Sequence, residues 1–69
     1  MNQDVRKILA NNITQLRKKN KLTRENLSIA LDFDNSYISK LEKEKVNITL
    51  DKLIKIADYF GVKVSNLLK

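Results

Sequence analysis

Sixty-nine residues make one domain with room for one small core, and fourteen Lys and Arg against eight Asp and Glu leave a net charge of +6. With neither cysteine nor histidine in the chain, disulfides, thiol chemistry and the usual zinc sites are excluded, and a reducing cytoplasm suits it. A polar start from Met1 to Arg6, and no apolar run of signal-peptide or membrane-span length, argue against secretion or a membrane span.

The first predicted helix runs from about Gln3 to Lys19, where Val5, Ile8, Leu9, Ile13 and Leu16 recur at the three-and-four spacing of one buried stripe. Asn20 and Lys21 interrupt it. A short second helix opens at Thr23, whose hydroxyl suits a free first-turn amide, with Glu25 near the positive helix end. Leu22 and Leu27 have the spacing of a hydrophobic staple, and Leu27, Ala30 and Leu31 carry the apolar face as far as Asp32. The three residues Asp32, Phe33 and Asp34 form a turn, with Phe33 plugging the angle between two helices and Asp34 capping the next. The third helix is predicted from Asn35 to about Glu44, with a narrow apolar stripe of Tyr37, Ile38 and Leu41. Its remaining face, with Asn35, Ser36, Ser39, Lys40 and Lys43, carries no acid on the early turns.

After a loop from Lys45 to Ile48, Thr49 caps a fourth helix, with Ile48 and Leu53 at staple spacing. Leu50, Leu53, Ile54, Ala57 and Phe60 are read as its core face, and Gly61 as its terminator. A short fifth helix follows, from about Val64 to Leu68. With no proline and a single glycine, the chain reads as all-α, five helices in one domain over residues 1–69.

Charge is unevenly placed. Basic residues crowd at Arg17, Lys18, Lys19, Lys21 and Arg24, and again at Lys40, Lys43 and Lys45. Such a surplus favours a polyanion, whether DNA, RNA or an anionic membrane face, and it also serves plain solubility.

Two short helices joined by a three-residue turn, the second polar and acid-free, are the helix-turn-helix arrangement, here spanning about residues 23–44. The residues resemble the Cro/repressor (Xre-type) family, whose fold is the five-helix lambda-repressor-like domain. LTRENL from Leu22 to Leu27 is similar to the family's LTQEEL, SYISKLE from Ser36 to Glu42 to SYISKIE, and LIKIADYFG from Leu53 to Gly61 to LLKIADALG. The resemblance covers roughly Ile8 to Leu68. Within the family, DNSYIS from Asp34 to Ser39 followed by NIT from Asn47 to Thr49 is similar to the small controller proteins of restriction–modification systems. Arg24 departs from the usual glutamine, Ser28 from a small alanine, Asp32 from a turn glycine, Asn35 from the controllers' arginine and Val46 from a basic loop residue.

The resemblance implies a dimer on double-stranded DNA, with the third helix in the major groove. Asn35, Ser36, Ser39 and Lys40 are expected to face bases, Asn35 suited to adenine and Lys40 to guanine. Tyr37 is expected to share its time between packing and a DNA contact. Thr23 and Arg24 on one flank, and Lys43, Lys45 and Asn47 on the other, are expected to meet phosphates. Arg17 and Glu42 are expected to form a structural ion pair tying the first helix to the third. Val62, Val64, Leu67 and Leu68, with part of the fourth helix, are candidates for a twofold interface, and equally for intramolecular core.

No nucleophile–base pair, metal cluster or glycine-rich phosphate loop is present in the sequence, so no enzyme, metal or cofactor is expected. An antitoxin-type module that grips a protein partner and a phage-type repressor remain the alternatives. RNA lacks an aromatic stacking platform here, and the apolar stripe of the first helix is explained by a core rather than a membrane surface. Five helices use up the residues, so no small-molecule sensor is expected.

Overall fold

The computed structural model describes residues 2–69, with side-chain surroundings from residue 5 onward; the reading of Met1 as part of a polar start lies outside the described residues. Five helices and no strand occur among them: α1 (Asn2–Lys19), α2 (Arg24–Ala30), α3 (Tyr37–Glu42), α4 (Leu50–Phe60) and α5 (Val64–Leu67). The long α1 packs against α3 and α5, α2 against α3, and α4 against α5. Ile13, Leu27, Ile38 and Ile56 are completely enclosed at the centre, with Leu9, Leu31, Leu41, Leu53, Ala57 and Leu67 around them.

Local chemistry explains where each helix starts. The Thr23 hydroxyl accepts from the Asn26 amide at 3.0 Å, and that of Thr49 from the Lys52 amide at 3.2 Å, each satisfying a first-turn donor that the helix itself cannot. Leu22 and Ile48, which precede these caps, pack against the core.

Every one of the first four helices ends in the same way. A residue just past the helix, the second beyond α1, α2 and α3 and the first beyond α4, is left-handed, at Lys21 (φ 57°), Asp32 (φ 61°), Glu44 (φ 60°) and Gly61 (φ 67°). The next amide then reaches back over the last turn: Leu22 to Arg17, Phe33 to Ser28, Lys45 to Lys40 and Val62 to Ala57, all between 2.8 and 3.0 Å. This is the Schellman closure, and Leu22, Phe33 and Val62 supply the apolar contact that accompanies it. Only one of the four left-handed positions is glycine.

Three sequence-based expectations are corrected. Val5 stands 45% exposed and Ala30 is exposed, while Ala10 on α1 and Ser28 on α2 are buried in their stead. On α4, Leu50 (67% exposed) and Ile54 (41%) face outward, and Ile56 takes the central place. The apolar residues of α4 form a band wider than the neighbouring helices can cover, so periodicity alone left its buried centre ambiguous. The third helix begins at Tyr37 rather than Asn35 and ends at Glu42. Asn35 and Ser36 form the turn ahead of it, held by Asp34, whose carboxylate accepts from the Ser36 amide (3.1 Å) and hydroxyl (2.6 Å).

Candidate nucleic-acid interface

The geometry of α2 relative to α3 is set by one buried hydroxyl. Ser28 is fully enclosed; its Oγ donates to the Arg24 carbonyl (2.9 Å) and accepts from the Ile38 amide (3.1 Å). Ile38 lies in the first turn of α3, where Ser36 makes no side-chain cap, so Ser28 does across the turn what a cap does within a helix. Sequence reading treats Ser28 as a stand-in for alanine, and no local pattern signals a partner ten residues away.

A cluster of charges fixes the other end of α3. Arg17 and Glu42 are in contact, with Nε to Oε2 at 2.7 Å and Nη2 to Oε1 at 3.3 Å, and Arg17 Nη1 donates to the Leu22 carbonyl at 2.9 Å. Both side chains are less than a tenth exposed. Arg24 also donates its Nε to Glu42 Oε1, at 2.9 Å, from a side chain that is 52% exposed. Burial alone would raise the Glu42 pKa, but the hydrogen bonds and charges of the two arginines outweigh it and hold the carboxyl below its ordinary value.

The start of α3 presents Asn35 and Lys40 to solvent, with Ser36 and Ser39 half-buried beside them. The Ser36 hydroxyl is already given to Asp34. Those hydrogen bonds from Ser36, with the nearby charge of Lys40, lower the Asp34 pKa against a small opposing effect of burial. One carboxylate therefore sits at the head of a face that sequence alone reads as acid-free. On the far flank Lys43, Lys45 and Asn47 are all exposed, with Glu44 among them. Thr23 is exposed beside Arg24, its oxygen engaged in capping.

Tyr37 takes the packing half of its expected double role. Its ring is half-buried, edge-on to Phe33 with centroids 5.0 Å apart, and its hydroxyl is enclosed without a partner among the described residues. Burial accordingly raises its pKa. The Lys52 ammonium lies 4.3 Å from the Tyr37 centroid and 5.5 Å from that of Phe33, with Lys55 also 5.5 Å from Phe33, so α4 clamps the turn by cation–π contacts. In this conformation Tyr37 braces α3 with its hydroxyl turned inward.

The carboxy-terminal candidates also separate. Leu67 is 1% exposed and belongs to the chain's own core, with Val62 and Val64 half-buried against it. Leu68 reaches the surface. Asn12 of α1 ties this segment down, its amide nitrogen donating to the Leu67 carbonyl at 2.9 Å. No helix among the described residues is long and apolar enough to cross a membrane.

Two short helices locked at a fixed angle, the second carrying an outward polar face between basic flanks, define a helix-turn-helix unit of a DNA-binding transcriptional regulator. The chain belongs to the helix-turn-helix family, whose pattern matches residues 13–67. It is 34% identical over 65 residues to the control protein C.SmaI of Serratia marcescens, covering 94% of this chain and 77% of that one. Among solved structures it is similar to the hypothetical transcription factor NHTF from Neisseria, at 32% identity and a TM-score of 0.91, covering 100% of this chain and 79% of that one. The restriction–modification controller protein C.AhdI from Aeromonas hydrophila shares the fold, with a TM-score of 0.81 at 22% identity over 97% of this chain and 98% of that one.

Proposed function

We propose that the chain is a non-catalytic regulator that reads a pseudo-palindromic DNA duplex as a homodimer in the cytoplasm, in the manner of a restriction–modification controller. The observation that carries this reading is the locked α2–α3 pair with Asn35 and Lys40 free at its outer face. Likeness to a named control protein over nearly the whole chain supports the controller role.

Asn35 and Lys40 read base edges, Ser36 and Ser39 fit closely beside them, and Thr23, Arg24, Lys43, Lys45 and Asn47 hold the phosphates on either side. A recognition helix of six residues reaches only a few base pairs, so specificity in a genome calls for two of them. The second copy covers apolar surface that this chain leaves open: Leu50 and Ile54, one turn apart on α4, and Leu68 at 36% exposure. Leu68 also lines an apolar groove of about 440 Å³ with Val5, Leu41, Val46 and Ile48 among others. A twofold axis there sets the recognition helices about one DNA turn, roughly 34 Å, apart.

The division between base and phosphate contacts is testable by substitution. Asn35→Ala relaxes preference at one base step by about 1–3 kcal/mol. Lys43→Gln weakens all duplexes alike and, with one lysine lost in each half-site, reduces the slope of log affinity on log salt by about 1.8. Competitive binding across single-base variants of a selected duplex measures both. An Asn35→Ala protein with unaltered preference at every position would remove Asn35 from the reading face.

A further inference from the structure

Glu42 accepts three charge-assisted hydrogen bonds, two from Arg17 and one from Arg24, while Arg24 gives it only Nε. Among the described residues nothing engages the two terminal nitrogens of Arg24, on a side chain 52% exposed at the first position of α2. Arg17 is buried and its charge already offsets that of Glu42, so the charge of Arg24 is unspent. A guanidinium has distinct edges: one can be tied to a carboxylate while the other offers two parallel donors to a phosphate.

We propose that Glu42 is the positioning residue of a preset phosphate clamp, holding Arg24 by Nε so that its free edge meets one DNA phosphate in each half-site. This rests on the DNA-binding reading above. It assigns Glu42 a part in binding beyond tying α1 to α3, and it makes the contact depend on guanidinium geometry rather than on charge. Holding the side chain before DNA arrives removes rotamer entropy that a free arginine loses on binding. The same carboxylate fixes the recognition helix and the clamp, so the phosphate is registered directly to the helix that reads the bases.

The test uses the full chain and a selected high-affinity duplex, with Arg24→Lys and Arg24→Gln compared. Both variants keep the Arg17–Glu42 hydrogen bonds and alter only the Arg24 bond to Glu42 Oε1, and circular dichroism checks that each is folded. A lysine has one terminal nitrogen, which either stays with Glu42 or leaves it for phosphate. Arg24→Lys is therefore expected to lose affinity about tenfold, as Arg24→Gln does, despite its retained charge. In the unaltered protein, neutralising one phosphate per half-site as a methylphosphonate costs a similar factor, and that sensitivity vanishes in both variants while the one belonging to Lys43 persists. The Arg24 Nε–H resonance is expected to be protected from exchange both free and on DNA. Arg24→Lys with unaltered affinity and salt slope, or an Nε–H that exchanges freely, would overturn the clamp and leave DNA binding standing. An unaltered protein with no salt-dependent binding to any duplex would overturn the DNA reading and the clamp with it.

Discussion

Glu42→Gln is expected to abolish the cooperative thermal unfolding of the free protein at neutral pH. Its partner Arg17 lies below a tenth exposed, and its side-chain hydrogen bonds go to Glu42 and the Leu22 carbonyl. Removing the carboxylate's charge leaves a buried guanidinium without compensation, which costs about 3–5 kcal/mol. A domain of this size has total stability of roughly 3–10 kcal/mol, so the loss is comparable with the whole. The pair Arg17→Met with Glu42→Leu removes both charges together and is expected to recover most of the helical signal. Circular dichroism on heating distinguishes the three proteins; a Glu42→Gln variant that melts within a few degrees of the unaltered chain would show that the pair contributes little.

The same carboxylate sets the acid limit of the fold. Its pKa is lowered in the folded state by Arg17 and Arg24, so its contribution is fully present above the unfolded carboxyl value, about 4.3. As pH falls through the lower folded value, the proton binds and that contribution is lost. Acid unfolding monitored at constant ionic strength is therefore expected to begin below about pH 4, with this group contributing to it.

The second large effect is a gain. Lys21, Asp32 and Glu44 hold left-handed backbone at the ends of α1, α2 and α3, a conformation that is unfavourable for a residue with a Cβ atom. Glycine relieves that strain but loses more chain entropy on folding, so each replacement is expected to stabilise by about 0.5–1 kcal/mol. Asp32 lies at the lower end, because aspartate tolerates this region better than lysine or glutamate. Lys21→Gly, Asp32→Gly and Glu44→Gly together are expected to raise Tm by roughly 6–24 °C. A triple variant with an unchanged or lower Tm would mean that these side chains make contacts worth as much as the strain.

Much of this was legible in the sequence for a physical reason: caps and staples are local. Thr23, Thr49, Leu22 and Ile48 are read from partners within five residues of where they stand, and Gly61 marks its helix end by type alone. The three other left-handed ends carry Lys, Asp and Glu, residues that do not announce the conformation, so the start and stop of α3 were misplaced by two residues each. The long-range contacts were visible only where a family resemblance supplied them, as for Arg17 and Glu42. Ser28 with Ile38, Arg24 with Glu42 and Lys52 over Tyr37 join positions 10, 18 and 15 residues apart, and no periodicity encodes such pairs. The outward turn of Leu50 and Ile54 was hidden for the opposite reason, since an exposed apolar residue looks the same in sequence as one facing the core.

In the proposed function two copies of this chain read DNA sequence together, and selection of bound duplexes from a random library, at near-physiological salt with competitor DNA, decides whether they do. The expected result is a pseudo-palindrome whose half-site centres lie about 10 base pairs apart, one helical turn. Enrichment of no sequence, with binding that simply fades as salt rises, would contradict it and reduce the basic flanks to general electrostatics.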